Sequence, residues 1–104
     1  MTMLVDSGYL CLASSMILSE RPMPIRFFYR DHPEHQNDTG FRFYSGFETD
    51  EFLEQEHAAC VAPLESMARI EPSIAELLMC SEVGTVWERA GDQWVQVTDY
   101  RIPD

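Results

Sequence analysis

The chain predicts an α+β domain, with about five mostly antiparallel strands in one sheet covered by two or three short helices. Three observations carry that expectation. Residues 25–30 and 41–45 alternate apolar and polar side chains with the two-residue period of a strand. Residues 83–98 hold two further runs of this kind, separated by Ala90-Gly91-Asp92, and read as a hairpin. Pro63 and Pro72 each open a stretch with apolar residues at helical spacing.

In chain order, residues 1–8 form a lead-in, and Tyr9 to Ala13 reads as a buried first strand. Ser14 to Glu20 is expected to make one helical turn, with Ser14 or Ser15 as its cap. Pro22 and Pro24 force an extended entry into the next segment. There Ile25, Phe27 and Tyr29 face one side and Arg26, Phe28 and Arg30 the other. The polar run Asp31 to Thr39 is a loop, so Phe41 to Ser45 returns antiparallel, with Phe41 and Phe43 opposed to Arg42 and Tyr44. Thr49 or Asp50 caps a short helix through Phe52, Leu53 and Glu56. Ala58 to Ala62 is a short strand. Leu64, Met67 and Ala68 define one helix and Ile74, Leu77 and Leu78 a second, which Pro72 separates from the first. In the closing hairpin Val95 and Val97 oppose Trp94.

With 104 residues the chain holds one domain, spanning 1–104, and one core. Apolar residues at 45% and aromatic residues at 12% make it globular rather than a disordered acidic segment. Net charge is −11, and all seven cations are arginine. That balance excludes nucleic acid as a ligand class and disfavours anionic membranes, because both need clustered Lys and Arg. It fits a protein that steers a basic partner towards itself, or one kept in solution by charge alone. Cys11, Cys60 and Cys80 share no metal-ligand spacing and read as small buried hydrophobes. The apolar stretch Tyr9 to Leu18 follows Asp6 rather than a basic region and is broken by Ser14 and Ser15. A signal peptide or transmembrane helix is therefore not expected, and the expected location is the cytoplasm.

The most distinctive stretch is "FRFYSGFETDEF", an aromatic strand that opens onto five carboxylates in nine residues: Glu48, Asp50, Glu51, Glu54 and Glu56. A calcium loop would need a central glycine and ligands at fixed offsets, whereas Phe52 and Leu53 occupy the middle here. No metal site is expected. A general acid needs an apolar pocket to raise its pKa, and Glu88 beside Trp87 is the one candidate, set against an ordinary outward glutamate. His32 and His35 have i, i+3 spacing, but Pro33 between them denies the helix that spacing would require. His57 stands apart. Nucleophile elbows, phosphate loops and dinucleotide fingerprints are missing, so no catalytic residue and no cofactor are assigned. Tyr29, Tyr44, Phe28, Phe47, Trp87 and Trp94 admit both a core and a binding role. Strand faces that mix Arg with Phe and Tyr have the composition of interface anchors.

These parts together resemble the immunity protein 33 family of bacterial polymorphic toxin systems. The resemblance spans roughly residues 8–97. It rests on the opening "YLCLASSMI", on "PIRFFYRDHPEHQNDTGFRFYSG" running into "FETDEF", on "PLESMARIEPSIAELL" and on "VGTVWERAGDQWVQV". Phe41 stands where tryptophan would be expected after the glycine. The resemblance implies an α+β fold, no catalysis, and neutralisation of a cognate toxin made by the same or a neighbouring cell. The expected toxin-binding surface is then Arg42, Tyr44 and Phe47 as anchors, with Glu48, Asp50, Glu51 and Glu54 facing a basic toxin surface. Arg42→Ala and Tyr44→Ala are expected to weaken binding and spare the fold, whereas Trp87 and Trp94 are expected to be mainly architectural. A regulatory or adaptor module, and a small enzyme using Glu88 and a histidine, are the alternatives.

Overall fold

The computed structural model describes residues 8–102, so all but Gly8 of the expected lead-in lies outside the described residues. It shows an α+β fold with one sheet of six strands: β1 (Leu10–Ser14), β2 (Phe27–Arg30), β3 (Asp38–Tyr44), β4 (Ala59–Pro63), β5 (Val86–Ala90) and β6 (Gln93–Gln96). The helices are α1 (Asp50–Leu53), α2 (Leu64–Ile70) and α3 (Ala75–Cys80), with a 3-10 turn at Pro72–Ile74. Strand order is β4-β1-β3-β2-β5-β6. The β2–β3 and β5–β6 hairpins pair antiparallel, as the alternation predicts. One pairing is parallel, because β3 inserts between β1 and β2 and runs alongside β1. Single-strand periodicity contains no information about that insertion.

Alternation decides which residues meet the helices. Cys11 and Ala13 of β1, Phe28 of β2, and Phe41 and Phe43 of β3 join Ala62, Leu64, Met67, Ile74 and Leu78 in one core. Phe28 is fully buried, with its ring 5.2 Å from Phe43, 5.3 Å from Trp94 and 6.1 Å from Phe41. Trp87 and Trp94 close this layer and satisfy their indole N–H groups on the helical segment. Trp87 Nε1 donates to Ser81 Oγ at 2.9 Å, and Trp94 Nε1 donates to Ser73 Oγ at 2.9 Å. Both tryptophans therefore hold the terminal hairpin against the helices, each through the N–H at its polar tip.

Several local expectations shift. Ser14 belongs to β1, and the segment after it is a turn rather than a helix, with the Ile17 amide donating to the Ser14 carbonyl. α1 is a single turn, capped by Thr49 Oγ1, which accepts from the Phe52 amide at 3.1 Å; it ends at Leu53, short of Glu56. Residues 83–85 are not strand: the Gly84 amide donates to the Arg30 carbonyl and turns the chain into β5. Of the cysteines only Cys11 is buried; Cys60 is half-buried and Cys80 exposed. Alternation and helical period place Cys11 in the core, but Cys80 ends α3 on its outer side.

β3 is not a regular strand. Leu10 pairs with Asp38 while Leu12 pairs with Arg42, so two residues of β1 oppose four of β3. The extra length is taken up at Gly40, whose φ is +88°. This bulge shortens the distance between Asp38 and Arg42 and lets their side chains meet. Arg42 Nη1 donates to Asp38 Oδ1 at 2.9 Å and Nη2 to Asp38 Oδ2 at 2.8 Å. The Gly40 and Glu34 amides donate to the same carboxylate at 2.9 and 2.8 Å.

A candidate binding cleft on the open sheet face

α2 and α3 cover one face of the sheet. On the other, β2 presents Phe27 and Tyr29, and register sets Tyr44 of β3 directly across from Phe27. Tyr29 and Tyr44 stack at 5.9 Å with an interplanar angle of 23°, and their hydroxyls lie 3.3 Å apart. Phe27 meets Tyr44 at 6.2 Å and Tyr29 at 6.1 Å. The chain beyond β6 crosses back and lays Tyr100 on this group, 5.0 Å from Phe27 and 5.8 Å from Tyr29. The result is a cleft of about 470 Å³ with these four rings at its base. Gly46, Glu48, Leu53, Glu88, Arg26 and Arg89 complete its lining.

The polar groups of the cleft differ in how far the fold already uses them. Glu48 folds back on its own turn: Oε2 accepts from the Ser45 amide at 2.9 Å and from Ser45 Oγ at 2.7 Å, and Oε1 accepts from the Gly46 amide at 3.0 Å. Burial pushes its carboxyl up, but these hydrogen bonds and one from Ser14 outweigh it and hold the group below the usual range. Arg89 pairs with Glu71 at 3.0 Å and donates through Nε to the Gly91 carbonyl. Arg26 sits with its guanidinium carbon 5.9 Å from the Phe47 ring centre. Glu88 is exposed and has no salt-bridge partner within 4.0 Å among the described residues. Burial, and then the Tyr44 hydroxyl, push the Tyr29 phenol far above its ordinary value, so it stays a neutral hydrogen-bonding group.

The expected binding residues separate in space. Tyr44 and Glu48 line the cleft. Phe47 is 53% exposed and lines a neighbouring concavity with Met16, Met23 and Phe52. Asp50, Glu51 and Glu54 are exposed on and just after α1. Arg42 does not lie free on a strand face: it is 6% exposed and paired with Asp38, with Glu34 Oε2 3.5 Å from Nη2. The β2–β3 connection folds back over it, so its side chain is held inside the fold rather than presented on an open strand face. Tyr29 joins Tyr44 here from the aromatics that admit a binding role, while Phe27 and Tyr100 are not among the expected toxin-binding residues. The signal for Phe27 was its cross-strand register with Tyr44; nothing in the sequence places Tyr100.

Chemically the cleft offers aromatic rings, phenol hydroxyls, carboxylates and guanidiniums. Among the described residues no group of three His, Cys, Asp or Glu could hold a metal ion. Glu88, the candidate acid, is exposed on β5, where it lines the cleft. Burial pushes the Cys11 thiol up to about 12, so it carries no thiolate at neutral pH. No helix among the described residues is long and apolar enough to cross a membrane. A family model described as the Immunity protein Imm33 domain matches residues 11–98. No curated protein and no solved structure matches the chain significantly.

Proposed function

Because the chain belongs to the Imm33 family of immunity proteins, we propose that it protects its cell by binding a cognate bacterial toxin directly and occluding it, without catalysis. The family match over residues 11–98 is the observation that carries this reading. The fold supports it by leaving one sheet face with an aromatic cleft and an exposed acidic turn beside it, a pairing suited to a partner with a basic surface. Three free thiols fit an encounter in the reducing cytoplasm. The test is co-expression with the toxin encoded beside it, followed by purification of the pair. A stable one-to-one complex that accompanies survival is expected. Survival with no complex would replace this reading with a catalytic or regulatory form of protection.

The exposed carboxylates should act on the rate of encounter. Asp50→Asn, Glu51→Gln and Glu54→Gln remove three exposed charges, while Glu48 is left in place because its hydrogen bonds hold the turn after β3. Surface charges are screened over about 8 Å at physiological salt, so association slows most at low ionic strength, with dissociation little changed. Stopped-flow mixing at two salt concentrations measures this. An association rate equal to wild type at low salt would place the acidic turn outside the toxin's path.

A further inference from the structure

We infer that the outer edge of β4 is a docking site for an extended, basic segment of the toxin, which adds to the sheet as a further strand through main-chain hydrogen bonds. This rests on the toxin-binding reading and names how the partner engages. β4 ends one side of the sheet, with β1 as its one neighbour among the described residues. At its two ends the Ala58 carbonyl accepts from the Ser15 amide at 2.8 Å, and the Leu64 amide donates to the Tyr9 carbonyl at 2.9 Å. Backbone groups alternate sides along a strand. Ala58, Cys60, Ala62 and Leu64 therefore turn theirs to β1, and Ala59, Val61 and Pro63 turn theirs outward. Proline has no N–H, so the outward row offers the amides of Ala59 and Val61 and the carbonyls of Ala59, Val61 and Pro63. All three residues are exposed, Val61 by 58%.

An open row of this kind is a template for another strand, and sheets ordinarily blunt it with charged side chains, a bulge or a covering segment. β4 carries no charged residue, and it pairs with β1 in unbroken register over its five residues. Pro63, at its far end, is the one feature that limits pairing. Charge decides between a second copy of this chain and a foreign strand. Glu54 and Glu56 precede β4, both exposed and outside any salt bridge among the described residues, and residues 54–63 hold no Lys or Arg. Beyond the other end, Glu65 is already matched by Arg69 at 3.4 Å. A second copy would bring the same net charge of −11 and the same two carboxylates, which repel their counterparts. A strand with Lys or Arg at the end that meets Glu54 and Glu56 is attracted instead. Val61 stands across from Leu12, so an apolar residue beside Val61 would continue that row on the same face.

The experiment is amide hydrogen exchange on the whole chain, followed by NMR, alone and with the toxin encoded beside it. The Ala59 and Val61 amides should exchange freely in the chain alone and at least about tenfold more slowly in the complex. Val61→Pro deletes one outward donor and leaves the bonds to β1 in place, because an edge strand accommodates proline where its N–H faces solvent. It should raise Kd for the toxin by about tenfold. Val61→Thr keeps the amide and the strand preference, and should stay within about threefold of wild type. Thermal melts establish that both variants fold; if Val61→Pro does not, Ala59→Pro makes the equivalent deletion at the first residue of the strand. Slow exchange of both amides in the free monomer, or a concentration-dependent dimer that protects them, shows the edge occupied by the chain itself and overturns the inference. A folded proline variant that binds toxin as tightly as wild type also overturns it and leaves the immunity reading standing. A wild-type chain that binds no toxin removes the immunity reading, and the docked strand with it.

Discussion

Arg42→Ala loses about 3–5 kcal/mol of folding stability, the cost of leaving one partner of a buried ion pair without the other. Domains of this size are stable by about 5–15 kcal/mol, so the variant melts more than about 10 °C lower, or does not fold. Arg42 is 6% exposed and Asp38 is 9% exposed, and their two parallel hydrogen bonds are the principal compensation for burying either charge. Asp38→Ala should destabilise similarly and also strand the Glu34 and Gly40 amides. Replacing both residues with apolar side chains should recover part of the loss. Denaturant melts of the three variants measure this. A folded Arg42→Ala protein with wild-type stability but no toxin binding would return Arg42 to the interface.

The same pair sets the acid limit of the fold. Burial pushes the Asp38 carboxyl up, but the Arg42 guanidinium and the two amides outweigh it and hold the group far below the ordinary range. Glu48 and Glu71 are lowered as well; for Glu71 the Ser73 hydroxyl is the largest cause, opposed by burial, with Arg89 lowering it further. A depressed folded value means that each group's stabilisation is fully present above its unfolded value, about 4, and disappears as pH falls through the folded one. The melting temperature should therefore stay level from pH 7 to about 5 and fall steeply below about 4. In Arg42→Ala that fall should flatten, because the principal cause of the Asp38 shift is gone.

Much of the sheet was legible because a period of two is a local property. Phe41 and Phe43 facing the core, with Arg42 and Tyr44 opposite, follows from four adjacent residues. What lies over the opposite face does not. Arg42 reads as an exposed anchor until Gly40 bulges the strand and the 31–37 connection folds back, both of which depend on contacts distant along the chain. The five-carboxylate run looked uniform, yet Glu48 serves as an internal cap while Asp50, Glu51 and Glu54 point outward. Half of the cleft was visible in the alternation of Phe27 and Tyr29 and in Tyr44. The other half comes from register, which joins Glu88 to Phe27, and from the return of Tyr100. Neither has a signature in a single segment.

Gly40→Ala disrupts the fold far more than Gly84→Ala, although both glycines have positive φ, +88° and +97°. At Gly84 nothing lies within 4 Å of the added methyl group, so only the conformational penalty of about 1–2 kcal/mol applies. At Gly40 the methyl would collide with the Asp31 backbone carbonyl oxygen, which cannot rotate away as a flexible side chain could. Overpacking of this kind adds about 1–3 kcal/mol, for a total of about 2–5 kcal/mol. The consequence extends beyond the clash. Asp31 donates its amide to the Gly40 carbonyl at 2.7 Å, and the Gly40 amide donates to Asp38. Relief of the collision must displace this connection, and with it the bulge that brings Asp38 within reach of Arg42. Gly40→Ala should therefore also flatten the acid side of the stability profile, as Arg42→Ala does, whereas Gly84→Ala keeps the wild-type shape at a slightly lower melting temperature. Thermal melts from pH 7 to 3 on the two variants separate the effects. Equal destabilisation by the two substitutions would show that the left-handed backbone alone, and not the close approach of Asp31, fixes glycine at position 40.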